Sequence, residues 1–181
     1  MCRSASGALA ARRRAFSLVE VAVATAVVSG MLVAAIDTVG AVAAARRSTA
    51  DQTAGALRAQ VLATEILSMP VTDPDSGAFT YGPAAGEADG TRSGFDSVGD
   101  YDGWRAVPQD RSGTKIAGME SFLETVTVSS VPAGKHAAGL ASTALVFQVT
   151  VKVSGRGRTL GSLTFVCTAP AGTAVSGVPS S

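Results

Sequence analysis

The chain has 181 residues, 46% of them hydrophobic, with fifteen Lys and Arg against fourteen Asp and Glu. That length suits one modest domain plus an appendage, and the near-balanced charge gives no basis for nucleic-acid binding. The charge is unevenly placed, however: Arg3, Arg12, Arg13 and Arg14 lie in the first fourteen positions.

Removing that start leaves eleven basic against fourteen acidic residues, a net charge of about −3. The basic stretch therefore reads as a topology signal and not as a ligand patch. From Phe16 to Ile36 the only charge is Glu20, and extending to Ala45 adds only Asp37. A membrane-spanning helix needs ~20 mostly apolar residues, so the run is long enough to span. Arginines before it predict a cytoplasmic N-terminus and an exported C-terminal part. Secretory signals have shorter apolar cores of ~7–15 residues, although Ala41 to Ala45 offers small residues to a signal peptidase. A plain uncleaved anchor is a further alternative, but it assigns Glu20 no task. A carboxylate in the first turns of an apolar helix is costly unless something cationic faces it.

The stretch Arg14-Ala15-Phe16-Ser17-Leu18-Val19-Glu20-Val21 resembles the cleavage and methylation motif of type IV prepilins and type II secretion pseudopilins. That family has a basic leader, a small residue, Phe, a small polar residue, two aliphatics and Glu. The resemblance implies that a prepilin peptidase cuts between Ala15 and Phe16 and then N-methylates the new Phe16 amine. It also implies a structural role in a filament, with Glu20 setting register against the Phe16 ammonium of a neighbouring subunit. Implied partners are other pilin or pseudopilin subunits, the prepilin peptidase, the inner-membrane assembly platform and membrane lipid. No cofactor is implied. The head would be periplasmic or extracytoplasmic. Two positions depart from the family pattern: Ala15 stands where Gly is usual, and Asp37 where some members carry Pro. The run Ala63-Thr64-Glu65-Ile66-Leu67-Ser68-Met69 loosely resembles a segment of minor pseudopilin I and PilV-like subunits, which points to a minor subunit.

Beyond Arg46 and Arg47, the residues Ala59, Leu62, Ala63, Ile66 and Met69 recur at helical spacing on one face, and Pro70 ends the pattern. One helix is expected from about Phe16 to Met69, ~80 Å long if continuous, with a break near Asp37 to Gly40 as the alternative. Residues 71–115 are rich in Gly, Pro, Asp and Ser and read as a long irregular connection. Their acids (Asp73, Asp75, Glu87, Asp89, Asp96, Asp100, Asp102) suggest either a solvated acidic loop or a calcium site, but the spacing fits no recognised calcium loop. Tyr101 and Trp104 are expected to anchor this loop.

The rest reads as strands. Leu145, Phe147, Val149, Val151 and Val153 alternate with Val146, Gln148, Thr150 and Lys152. Ser154-Gly155-Arg156-Gly157 signals a turn, and Thr159, Leu163, Phe165 and Cys167 a returning strand. Residues 124–131 are a third candidate strand, with Val126 and Val128 against Thr125 and Thr127. The tail 169–181 is small and polar and is expected to be flexible. The expected fold is α+β: a long N-terminal helix packed on a small antiparallel sheet, the pilin-like lollipop. Its parts are a leader 1–15, a filament-core helix 16–45, an amphipathic half 46–70 and a β-rich head 71–181.

Chemistry-bearing residues are sparse. His136 is the only histidine, and no HExxH, CxxC or GxSxG pattern occurs. Gly155, Gly157 and Gly161 fit a hairpin better than a dinucleotide loop. With Cys2 in the leader, Cys167 is the only cysteine left, and it reads as a buried structural thiol. The alternative function is a single-pass membrane-anchored extracytoplasmic binding module. A catalytic role is not expected.

Overall fold

The computed structural model describes residues 17–87, 89–131, 145–169 and 172–177. Ala15, Phe16 and His136, together with Cys2, Arg3, Arg12, Arg13 and Arg14, lie outside the described residues. Helix α1 spans Leu18–Leu67, so the candidate break at 37–40 is helical. Packing divides the chain into two compact units, 1–46 and 47–181.

In the first unit the helix carries an apolar surface with no described residue packed on it. An 18-residue window has mean hydropathy 2.2 and is wholly unburied, long and apolar enough to cross a membrane. Val19, Val28, Leu32 and Ile36 are all exposed. Two threonine hydroxyls here are turned inward: Thr25 donates to Val21 O at 2.9 Å and Thr38 to Ala34 O at 2.7 Å. Such back-bonding to the preceding turn leaves no hydroxyl proton needing water.

In the second unit, α1 buries Gly55, Arg58, Ala59, Leu62, Ala63 and Ile66. Leu62 and Ile66 are fully enclosed, and each contributes roughly 1.5–3 kcal/mol by leaving water. The helix tightens at its end, where Ser68 N donates to Thr64 O and Glu65 O and Met69 N to Ile66 O, before Pro70.

The sheet has four antiparallel strands where three were expected. They are β2 (Arg105–Ala106), β3 (Phe122–Val131), β4 (Leu145–Gly155) and β5 (Arg158–Ala169), paired in that order. The added strand, β2, is only two residues long, too short for periodicity to reveal. Val126 and Val128 of β3 face the core with Phe147, Val149, Val151 and Val153 of β4.

Strand β5 contains the expected Thr159, Leu163, Phe165 and Cys167, and it breaks simple alternation near its start. Thr159 is exposed and Leu160 is buried in its place. The cause is a bulge: Val153 pairs with Gly161 but Ser154 pairs with Thr159, which leaves Leu160 as an extra residue that turns inward. From Leu163 onward the expected phase holds, and Cys167 is buried. At the bulge the helix backbone comes unusually close. A Cβ on Gly161 would lie 2.6 Å from Gly55 O and 2.7 Å from Ala56 Cα. Reciprocally, a Cβ on Gly55 would lie 2.4 Å from Leu160 Cβ. Only glycine at both places permits this approach.

The connection 71–115 is folded against the core. Phe95, Val98, Tyr101 and Trp104 are buried. A short 3-10 turn, Gly99–Tyr101, lies within it, and strand β1 is Phe79–Thr80. Phe79 stacks on Phe147 of β4 with ring centroids 3.7 Å apart. Of the tail expected to be flexible, 170–171 and 178–181 lie outside the described residues, and 172–177 include a short strand. Strand β6, Val175–Ser176, pairs in parallel with β1. Phe79 N donates to Ala174 O at 2.8 Å and Tyr81 N to Ser176 O at 3.1 Å. These bonds satisfy β1 backbone groups that no hydrophobic pattern could have announced.

Gly161→Ala is expected to destabilise the second unit by about 1–3 kcal/mol, because the added methyl meets backbone that cannot rotate away. Ser162→Ala, at the exposed neighbour, is expected to stay within about 0.5 kcal/mol. Denaturant titration followed by emission of Trp104, the chain's single tryptophan, measures both.

Candidate functional site

Two places bear on function: the start of α1, and a buried charge cluster in the second unit.

Ser17 begins the helix. Its Oγ accepts from Val19 N–H at 3.2 Å, and its carbonyl accepts the first helical bond from Val21 N at 3.1 Å. Glu20 is three residues on, in the first turn. Ser-x-x-Glu is the spacing of a capping box, and the cap bond shown is the one to Ser17. A carboxylate is also favourable at the positive end of the helix. Glu20 is exposed, and among the described residues no cation lies within ion-pair distance of it. Its flank is lined by Val21, Ala24, Thr25, Val28 and Ser29. The two other expected site residues, Ala15 and Phe16, lie outside the described residues, so the described geometry does not bring them and Glu20 together.

The second place was missed by sequence reasoning. Glu124 of β3 is fully buried and receives two arginines. Arg58, from α1, donates through Nε to Glu124 Oε1 and through Nη2 to Glu124 Oε2. Arg92, from the 71–115 connection, brings Nη1 within 3.9 Å of Glu124 Oε2. The same Arg92 makes a two-pronged pair with Glu65 of α1, Nε to Oε1 at 3.0 Å and Nη2 to Oε2 at 3.1 Å. Both guanidiniums also donate to Gln109 O. Tyr101 donates its hydroxyl to Glu65 Oε1 at 2.9 Å, and the Arg92 guanidinium lies 5.2 Å from the centre of the Trp104 ring.

Two cations and two carboxylates thus alternate and cancel. Burial opposes ionisation of Glu65, but hydrogen bonding and charge from Arg92, the Tyr101 hydroxyl and the Arg111 charge outweigh it, so its carboxyl titrates below the ordinary range. Burial, then the Glu65 charge, push the Tyr101 hydroxyl above its usual range. The signals were present in the sequence: Arg58 and Glu65 are seven apart beside the apolar helix face, and Glu124 is in phase with Val126 and Val128. What no pattern showed was that distant Arg92 joins them. This cluster has no open nucleophile or base, so its chemistry is structural.

Within the acidic connection, burial and then the nearby charges of Asp100, Asp73 and Asp75 push the Asp96 carboxyl above its usual range. Among the described residues no three His, Cys, Asp or Glu converge to hold a metal ion. Asp73 accepts from Asp75 N–H and Ser76 N–H, Asp89 from Thr91 N–H and Asp110 from Thr114 N–H. The Thr91 hydroxyl, ahead of its N–H, lowers Asp89, the Ser112 hydroxyl, ahead of Thr114 N–H, lowers Asp110, and the two N–H donors lower Asp73, so all three carboxyls lie below their usual range. Asp100 and Asp102 are buried, unlike residues of a solvated loop. Asp100 accepts from Asp96 N–H and Ser97 N–H, and Asp102 from Val128 N–H of β3. Tyr101 and Trp104 anchor the connection as expected. The Cys167 thiol is buried and raised by desolvation, which suits an inert thiol.

No family model, curated protein or solved structure matches the chain.

Glu124→Gln is expected to cost about 3–5 kcal/mol, since it leaves Arg58 and Arg92 with one carboxylate between them. Asp51→Asn, which breaks only the outer pair with Arg156, is expected to cost at most about 1 kcal/mol. Trp104 emission against denaturant separates the two. Glu65 adds a pH signature. Because its folded carboxyl titrates below its unfolded value, its contribution is complete above the ordinary glutamate range. It is lost as pH falls through the lower, folded value. Acid titrations of wild type and Glu65→Gln should therefore converge at low pH and separate towards neutral.

Proposed function

We propose that this chain is a structural subunit, and a minor one, of a type IV pilus-like or type II secretion pseudopilus assembly. In this reading it is cut after Ala15, N-methylated at Phe16 and held in the inner membrane before assembly. One observation carries the proposal: the run Arg14 to Val21 leads straight into a helix whose apolar surface is bare, with Glu20 in its first turn. A bare apolar helix needs either lipid or other helices around it. Glu20 would lose its water there, and a cation must replace it. The Phe16 ammonium of a neighbouring subunit, one helical turn away in register, supplies that cation. The same pairing would fix how far one subunit stands above the next. Partners are therefore other pilin or pseudopilin subunits, the prepilin peptidase and the inner-membrane assembly platform.

The capping-box spacing of Ser17 and Glu20 favours a second reading, a single-pass anchor for an extracytoplasmic binding module. In that case Glu20 serves only its own helix and the leader stays attached.

Intact-mass measurement of the native protein separates the two. A chain starting at an N-methylated Phe16 is the expected result; retained Met1, or a cut near Ala45, removes the proposal. Glu20→Ala supplies an independent check. Processing should stay normal while incorporation into filaments falls at least tenfold, and incorporation at the wild-type level would overturn the register role of Glu20.

A further inference from the structure

The connection 71–115 encloses a cleft of about 270 Å³, lined by Pro83, Phe95, Asp100, Asp102, Trp104 and Arg105 among others. All of these residues belong to the second unit. Hydrogen bonds hold the lining in place. Trp104 N donates to Tyr101 O at 3.0 Å, and Val126 N of β3 donates to Trp104 O at 3.0 Å. Val128 N–H, also of β3, donates to Asp102 Oδ1 at 2.8 Å. The cleft is therefore pre-formed, as ligand sites commonly are.

Asp100 is only 3% exposed. Its Oδ2 accepts from Asp96 N–H at 2.9 Å and Ser97 N–H at 2.7 Å. Its Oδ1 accepts no bond among the described residues, yet that atom is not sealed from solvent. Because Asp100 lines the cleft and is otherwise enclosed, the open oxygen faces the cleft. A carboxylate oxygen so placed calls for a donor, and its low-dielectric surroundings strengthen the bond it makes. Unspent donors line the same cleft. Arg105 is exposed and pairs with no carboxylate among the described residues. Trp104 Nε1–H has no acceptor.

We propose that this cleft binds a small neutral polyhydroxyl ligand, a single sugar ring. An alkylammonium would donate to Asp100 but accept nothing, and Arg105 would repel it. An anion would suit Arg105 but meet the carboxylates of Asp100 and Asp102. A hydroxyl both donates and accepts, so neighbouring hydroxyls of one ring answer Asp100 Oδ1 and Arg105 together. The C–H face of the ring suits the apolar lining of Pro83, Phe95 and Trp104. Size agrees: drug-sized ligands fill pockets from roughly 300 Å³ upward, so this cleft holds one ring and not a chain. A ligand of about a dozen heavy atoms binds such a site in the millimolar to micromolar range. The inference uses no residue of the start of α1 and stands apart from the filament reading.

The experiment places the full chain in phosphatidylcholine nanodiscs, free of sugar-based detergent, and titrates D-glucose, D-galactose and D-mannose in turn to about 100 mM. Trp104 is the single tryptophan and lines the cleft, so its emission reports occupancy. At least one of the three sugars should shift that emission saturably. Asp100→Asn keeps a carbonyl oxygen for the N–H groups of Asp96 and Ser97 and should raise that sugar's Kd about tenfold. Arg105→Gln, at an exposed position, should raise it about threefold and decides the matter should Asp100→Asn fail to fold. Unchanged emission with all three sugars overturns the inference, as does a wild-type Kd in either folded variant. Tighter binding of ethylammonium or acetate than of any of the sugars overturns it too, by marking a site for charge.

Discussion

Glu124 is the point on which the second unit turns. A carboxylate with no solvent exposure, on the inner face of β3, must be neutralised where it stands. Arg58 does so from the helix and Arg92 from the 71–115 connection, and Arg92 in turn needs Glu65. Three segments far apart in sequence are thus bound to one buried charge. Apolar packing alone is tolerant of small slides and rotations, whereas alternating ion pairs with shared hydrogen bonds have one arrangement. The cluster therefore fixes how helix, sheet and connection meet, whatever its net contribution to stability.

The folded state of the connection follows from that constraint. A stretch rich in Gly, Asp and Ser has little apolar surface with which to hold itself in place. Arg92 ties its middle to α1 and β3, and Tyr101 adds a second tie to Glu65. With those fixed, Phe95, Tyr101 and Trp104 close into an edge-to-face aromatic group. The acids that composition assigned to water or to calcium mostly receive backbone N–H groups of tight turns. Most of the negative charge in the connection is therefore turn chemistry.

Legibility followed periodicity. The alternation along β4 and the four apolar helix positions from Ala59 to Ile66 were plain, because each element presents one face to one core. Leu160 went unnamed because a bulge shifts the period by one, and a bulge has no periodic signature. Strands β1, β2 and β6 went unseen because two residues cannot display a repeat. At the start of α1, residue types and order carried the prepilin-like reading in full, while the cap formed by Ser17 emerged only with the helix boundary.

The sequence by itself determined the apolar helix, the two long hairpin strands, the turn between them, and the basic start and Glu20 from which the proposed filament role derives. These are local properties, readable wherever a pattern repeats or a motif keeps its spacing. Only the tertiary structure decided that Glu124 draws in Arg58 and Arg92, that Gly55 and Gly161 let helix and sheet touch, and that Arg156 and Arg158 meet the helix beside Ser48 and Asp51. Each of those joins residues far apart in the chain, and such pairings depend on which surfaces the whole fold brings together, which no local window contains.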